Sequence, residues 1–315
     1  MLPSITIIIP VKPGGRVRAL DALAAVEYPR PLLEVIVAEG SAPSCQRNRA
    51  AREARGDILY FLDDDSMVSP GMLQAAVAHY ADAKVAAVGG PSLTPAGDSL
   101  LQQAIGAALG SPVGGGKVRN RYRQVGSARA TADHELILCN LSFRREVFLA
   151  CGGLDERLYP NEENELMERL RCEGWRLIHD PGLAVQRSQR PTYRAFVRQL
   201  FSYGRGRAEQ TRISGRISPA SLLPVLLLLY VLLFPLVQNP VYSIPLLCYG
   251  GAVLASAGWE ALQRRRFEFF PLLLLLLPTL HLAYGAGMIL GGLSPRHRRG
   301  NEPATVTLKR IDIGG

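Results

Sequence analysis

Residues 217–259 form a stretch of 43 without Asp, Glu, Lys or Arg, and residues 269–295 repeat the feature over 27. About 20 apolar residues carry a helix across the hydrocarbon core of a bilayer, so the first stretch has room for two crossings and the second for one. A soluble reading would need two successive helices that are apolar on every side. Gln238, Asn239 and Pro240 supply the natural turn in the first stretch. The expected spans are 219–238, 241–260 and 270–293, within a membrane region of 218–295. The chain reads as an integral membrane protein.

Arg212 and Arg216 precede the first span, and Arg264, Arg265 and Arg266 follow the second. By the positive-inside rule both flanks are cytoplasmic. A third full crossing would put Arg296, Arg298 and Arg299 outside. The alternative is a broken or re-entrant element, suggested by Pro278, Gly285, Gly287, Gly291 and Gly292. The expectation is three membrane segments with the third kinked, in a multi-pass protein of the inner (plasma) membrane. Residues 1–10 lack the basic start and apolar length of a secretory signal, so the first domain is expected in the cytoplasm. Five cysteines, at 45, 139, 151, 172 and 248, show no Cys-x-x-Cys or Cys/His spacing and fit a reducing compartment.

The formal charge of +9 is unevenly spread. Residues 1–186 hold 20 basic and 22 acidic side chains, 187–216 hold eight Arg against Glu209, and 217–315 hold eight against four. A nucleic-acid surface on the first part is therefore excluded, and the basic excess adjoins the membrane region. In the segment 191–217, Arg194, Arg198, Arg205 and Arg207 interleave with Phe196, Val197, Leu200, Phe201 and Tyr203. That spacing predicts an interfacial amphipathic helix. Residues 296–315 are expected to be a cytoplasmic or exposed basic tail.

Residues 1–190 read as an α/β domain. Runs 5–9, 33–38, 58–62 and 85–88 are apolar throughout, as strands buried on both faces are. Helical patterns lie between them at 16–27, 44–55 and 70–82, the last with Ser69 as cap and Pro70 in the first position. The alternation predicts a doubly wound, mostly parallel sheet whose ligands bind beyond the carboxyl ends of the strands. Asp63, Asp64 and Asp65 stand just beyond the third strand. Three adjacent carboxylates repel one another. A divalent cation, Mg2+ or Mn2+, bridging to phosphate oxygens would relieve that repulsion; a solvated acidic turn is the alternative. A haloacid-dehalogenase reading of D-x-D fails, because the motif follows the third strand and Met67 replaces the expected Thr or Val. A second acidic pair, Glu162 and Glu163, opens a helix with Leu166 and Leu170 on its inner face, a place the helix dipole also favours.

In sequence order, further motifs are Ile7-Ile8-Ile9-Pro10-Val11, Glu34-Val35-Ile36-Val37-Ala38-Glu39-Gly40-Ser41, Arg47-Asn48, Phe61-Leu62-Asp63-Asp64-Asp65, Arg144-Arg145, Gly152-Gly153-Leu154-Asp155-Glu156 and Asn161-Glu162-Glu163-Asn164-Glu165-Leu166. Together they resemble a family 2 glycosyltransferase of GT-A fold, in the membrane-bound subgroup that includes succinoglycan-type ExoA proteins. The resemblance implies transfer of a sugar from a nucleotide-diphosphate sugar, with a divalent metal. It implies backbone contacts to the base from Pro10 and Val11, and a base or ribose contact from Glu39. Ala38 departs from the family's first acid there. Arg47, Asn48 and Asp64 join the nucleotide-sugar set, and Asp63 and Asp65 match the metal-binding D-x-D pair. Glu163 matches the general base, with Glu162 as fallback, and attack opposite the departing diphosphate inverts the anomeric centre. Asn140 matches an acceptor position and Arg207 a diphosphate contact; His281 and Tyr284 fit the subgroup without a role. The implied acceptor is a lipid-linked glycan at the cytoplasmic face, as in exopolysaccharide synthesis. Polyprenyl phosphate is a second candidate acceptor and a non-catalytic scaffold a third reading. A glycine-rich loop around 114–116 with Lys117, Arg119, Arg121 and Arg123 could meet a lipid-linked phosphate or simply be a surface loop.

Overall fold

The computed structural model describes residues 1–237, 239–296 and 305–313. Gln238 of the expected turn, and Arg298 and Arg299 of the expected tail, lie outside them. The chain forms two compact units: 1–93 and 120–187 with the C-terminal residues, and 94–119 with 188–297.

The first unit is an α/β domain. Its strands are β1 (Ile5–Val11), β2 (Leu33–Glu39), β3 (Ile58–Leu62), β4 (Val85–Gly89), β5 (Ser92–Leu93), β6 (Arg129–Thr131), β7 (Asn140–Arg144), β8 (Arg176–His179), β9 (Val185–Gln186) and β10 (Thr307–Ile311). Eight make one sheet in the order β10-β2-β1-β3-β7-β4-β8-β6, with β5 and β9 paired separately. β1, β2, β3, β4 and β8 point one way, whereas β6, β7 and β10 oppose them. The sheet is thus mixed and mostly parallel, and the four expected strands are present. β3 and β4 are not neighbours, because β7 inserts antiparallel between them. Period-2 alternation divides the core: Ile7, Ile9, Tyr60 and Leu62 pack on one face, and Ile8, Ile36, Leu59 and Phe61 on the other. On the second face the rings of Phe61, Phe143 and Phe148 pack edge-on or tilted, with centroids 5.4–5.9 Å apart.

Helices α1 (Ala19–Leu23), α2 (Pro43–Glu53) and α3 (Met72–Ala78) follow the first three strands. The α3 helix starts later than the sequence suggests, with Gly71 and not Ser69 at its cap. The Pro70 carbonyl accepts from the Glu27 amide at 2.9 Å, which holds that residue in the preceding turn.

In the second unit α4 (Leu100–Gly110) opens with a Ser99/Gln102 capping box. The first unit adds α5 (Arg145–Ala150) and α6 (Glu162–Cys172). The basic segment forms α7 (Tyr193–Ser214), started by the Thr192 hydroxyl and stopped by Gly215 at φ 70°. Next come α8 (Pro219–Leu233), α9 (Ile244–Gln263) and α10 (Phe269–Leu293). Among the described residues, three helical segments are long and apolar enough to cross a membrane: Pro219–Leu236, Pro240–Gln263 and Phe269–Leu293.

α7 and α10 touch backbone to backbone through glycines. A Cβ on Gly204 would lie 2.0 Å from the Tyr284 carbonyl, and one on Gly287 would lie 2.0 Å from that of Phe201. The helices run side by side in the same direction, with Tyr193 Oη 2.7 Å from Thr279 Oγ1 and the Arg212 guanidinium donating to the Gly292 carbonyl. His281 bridges Tyr249 Oη and the Val113 carbonyl at 2.8 and 2.9 Å, a packing role.

Part of the expected tail is a strand. Its residues 307–311 form β10, antiparallel to β2, with Thr307 opposite Glu39 and Ile311 opposite Val35. Five residues with no long apolar run carry little strand signal by themselves; the partner edge supplies it.

Candidate active site

The first unit's carboxyl edge gathers the acidic residues around two arginines. The turn after β3 is closed by the Ser66 amide on the Asp63 carbonyl at 3.1 Å, while Ser66 Oγ donates to the Cys139 carbonyl. Met67 and Gln186 then exchange two backbone hydrogen bonds of 2.9 Å. That bridge sets Arg187 beside the acids. Its Nε lies 2.8 Å from Asp65 Oδ1 and one terminal nitrogen 3.0 Å from Asp63 Oδ2. Arg47, buried on α2, contributes a second cation, 2.9 Å from Asp63 Oδ1 and 3.4 Å from Glu162 Oε1.

Glu162 and Glu163 occupy the first turn of α6, after Asn161 in the left-handed region at φ 86°. Glu162 is 2% exposed, and its Oε2 has no hydrogen-bond partner. Burial pushes its carboxyl well above the usual range, the charge of Glu163 adds to that, and Arg47 offsets part of it. Glu163 lies 3.9 Å from an Arg121 nitrogen. Arg121 is itself held by the His134 and Asp133 carbonyls and by Asn164 Oδ1. Burial, then the neighbouring Asp65 and Asp63, raises Asp64.

At the far end of the edge, Glu39 takes the Gly14 amide at 3.0 Å and Lys309 Nζ at 2.7 Å, and these partners lower its carboxyl pKa. Pro10 and Val11 end β1 as expected, but the Val11 carbonyl already accepts from Gln46 Nε2 and the Gly40 amide, both at 2.9 Å. It has little capacity left for a base.

Asn48 and Asn140 are buried and hydrogen-bonded within the protein. Asn48 grips the following loop, accepting from the Leu154 amide and donating to the Leu154 carbonyl and Glu156. Gly153 is required there: its φ is +73°, and a Cβ would come 2.6 Å from Asn48 Oδ1. Asn140 is fully buried, accepting from Tyr60 Oη at 2.7 Å and donating to the Leu183 and Pro91 carbonyls. Its amide therefore cannot present itself to an acceptor. Arg207 lies on α7, in the second unit.

Sequence reading did not foresee Arg187 as partner of the D-x-D pair, Arg121 as partner of Glu163, or Lys309 as partner of Glu39. Arg187 was legible only as one of eight arginines in a basic segment, and its role depends on a backbone bridge that sequence does not show.

Two carboxylates converging on one guanidinium can converge on a metal cation of similar reach. Among the described residues no group of three or more His, Cys, Asp or Glu could hold a metal alone. Asp63 and Asp65 would suit a hard divalent ion whose remaining coordination positions were filled by other oxygen ligands.

A family model described as "Glycosyltransferase like family 2" matches residues 3–206. The succinoglycan biosynthesis protein ExoA of Rhizobium meliloti (strain 1021) is 28% identical over 301 residues, covering 84% of this chain and 88% of its own length. The pre-mycofactocin glycosyltransferase of Mycobacterium tuberculosis (strain CDC 1551 / Oshkosh) is 26% identical over 213 residues, 68% of this chain and 39% of that protein. Among solved structures, the mannosyltransferase PcManGT from Pyrobaculum calidifontis, in complex with GDP-Man and Mn2+, superposes with a TM-score of 0.58. It is 16% identical and covers 93% of this chain and 88% of its own, which establishes a shared GT-A fold.

Proposed function

The chain belongs to the family 2-like glycosyltransferases, and from that premise we propose that it is an inverting, metal-dependent enzyme. It moves a sugar from a nucleotide-diphosphate sugar to a lipid-linked glycan at the cytoplasmic membrane face. The observation that carries this reading is the continuous network Asp65–Arg187–Asp63–Arg47–Glu162 beside Glu163, which joins the donor acids to the base position. PcManGT was solved with GDP-Man and Mn2+, which supports a nucleotide sugar and a divalent ion here. The similarity to ExoA along 84% of the chain supports glycan synthesis.

Asp63 and Asp65 would hold the cation, whose chemistry is to neutralise the leaving diphosphate. Glu163 takes the proton from the acceptor hydroxyl as that oxygen attacks the anomeric carbon from the side opposite the diphosphate. Arg121 and Asn164 orient that turn of α6. Arg47 and Arg187 neutralise the acids before substrate arrives. Both are then in place for the phosphate charge.

The membrane reading is sharpened by connectivity. The chain leaves the first unit after Arg187 and returns to its sheet as β10, which favours an even number of crossings between them. We assign these to α8 and α9 as a hairpin. α10 packs along α7, which carries several arginines, and in this reading it lies at the membrane surface. Such an arrangement keeps Arg296 cytoplasmic, in line with the positive-inside bias.

The test is transfer from a panel of radiolabelled nucleotide sugars, with Mg2+ or Mn2+, to lipid-linked glycans and to polyprenyl phosphate. Metal-dependent transfer to the glycan supports the reading. Transfer to polyprenyl phosphate alone would replace it with the base-free alternative.

A further inference from the structure

We propose that the C-terminal strand β10 is part of the donor site and that Lys309 is a positioning residue for Glu39; this rests on the donor reading above. β10 enters the sheet at its ligand-binding end. Its first residue, Thr307, is opposite Glu39, the last residue of β2. Two residues earlier the Thr305 carbonyl stands 3.0 Å from where a Cβ on Gly40 would be, so the returning chain closes directly over the Glu39-Gly40 turn.

Glu39 is held from two sides. The Gly14 amide binds Oε1 at 3.0 Å and Lys309 Nζ binds Oε2 at 2.7 Å. Gly14 belongs to the loop after β1, so the carboxylate ties that loop to β10 across the end of β2. A carboxylate on an open edge would sample several rotamers; fixed at both oxygens, it keeps one.

The other end of β10 shows what a purely structural contact looks like. Arg310 donates to Glu34 Oε1 at 2.9 Å and to the Glu53 carbonyl at 3.0 Å, away from the carboxyl edge, while Glu34 Oε2 is held by Thr6 and the Arg55 amide. Covering the β2 edge needs the strand and Arg310. It does not need an ammonium group aimed at Glu39.

The experiment uses full-length protein in detergent micelles, with the donor that the panel identifies as substrate. Lys309→Met is expected to raise the donor KM about three- to tenfold with kcat within about twofold, and Lys309→Arg to restore it. Arg310→Met should lower the melting temperature without moving KM. Lys309→Met combined with Glu39→Gln should be no worse than Glu39→Gln alone, because the two act as one unit. An unchanged KM in Lys309→Met, or effects that multiply in the double variant, overturns the inference while leaving the donor reading intact. Wild-type protein that engages no nucleotide sugar overturns the donor reading, and this inference with it.

Discussion

Replacing Asn140 by alanine separates a structural amide from an acceptor-binding one. The side chain is fully buried and uses both ends: Tyr60 donates to its oxygen at 2.7 Å, and its nitrogen donates to the Leu183 carbonyl at 2.6 Å and the Pro91 carbonyl at 3.2 Å. Pro91 keeps a bond of 3.0 Å from the Val185 amide, so alanine strands two groups, the Tyr60 hydroxyl and the Leu183 carbonyl. A buried unsatisfied group costs about 1–3 kcal/mol, which puts Asn140→Ala at about 2–6 kcal/mol. Tyr60→Phe strands one acceptor and should cost about 1–3 kcal/mol. The double variant Tyr60→Phe/Asn140→Leu should cost less than the sum of its parts, since both changes remove one shared contact. Thermal unfolding of purified protein measures all three, and transfer per folded molecule measures function. A folded Asn140→Ala enzyme should keep its acceptor KM. Undiminished melting temperature with a raised acceptor KM would refute the packing account.

Three further outcomes follow from the same geometry. Glu162 has a raised carboxyl pKa in the folded state, so its contribution to stability is present below the ordinary carboxylate range and is lost as pH rises toward the raised value. Glu162→Gln should therefore melt higher than wild type near pH 8, by about 1–2 kcal/mol, and equal it near pH 4; a lower melting temperature at pH 8 would show that the Arg47 contact outweighs burial. Gly287→Leu should destabilise the second unit by about 1–3 kcal/mol, because its side chain meets the Phe201 carbonyl, and unchanged thermal inactivation would refute the close α7/α10 contact. In a cysteine-free background, Asn239→Cys should react with a membrane-impermeant thiol reagent added outside cells, and Ser294→Cys only after lysis. Labelling of Ser294→Cys from outside would mean that α10 crosses.

The parallel strands and the D-x-D turn were legible because burial on both faces leaves uninterrupted apolar runs, and the acids follow one such run directly. The β7 strand was hidden: Asn140 and Ser142 interrupt its apolar character, and both are buried by tertiary hydrogen bonds that no local pattern encodes. Glu162 and Glu163 were visible as an acidic first turn, but their different surroundings arise from Arg47 and Arg121, which reach them from distant segments. The strand within the tail was hidden for a related reason. Lys309 and Arg310 look like solvated basic residues until Glu39 and Glu34, some 270 positions away, are brought beside them. Positive charge pointed to a membrane flank but could not distinguish Arg187, which pairs with Asp63 and Asp65, from the arginines of α7.

In the proposed mechanism one site joins donor acids and base in sugar transfer. The most direct measurement is turnover of the identified donor with a lipid-linked glycan acceptor, comparing wild type with Glu163→Gln and Asp65→Asn at saturating Mg2+ or Mn2+. Glu163→Gln should lower kcat by about 10²–10⁴ with nucleotide binding retained, and Asp65→Asn should abolish the metal dependence of nucleotide binding with the fold intact. Full turnover in Glu163→Gln, or metal-dependent nucleotide binding that survives in Asp65→Asn, would contradict the assignment.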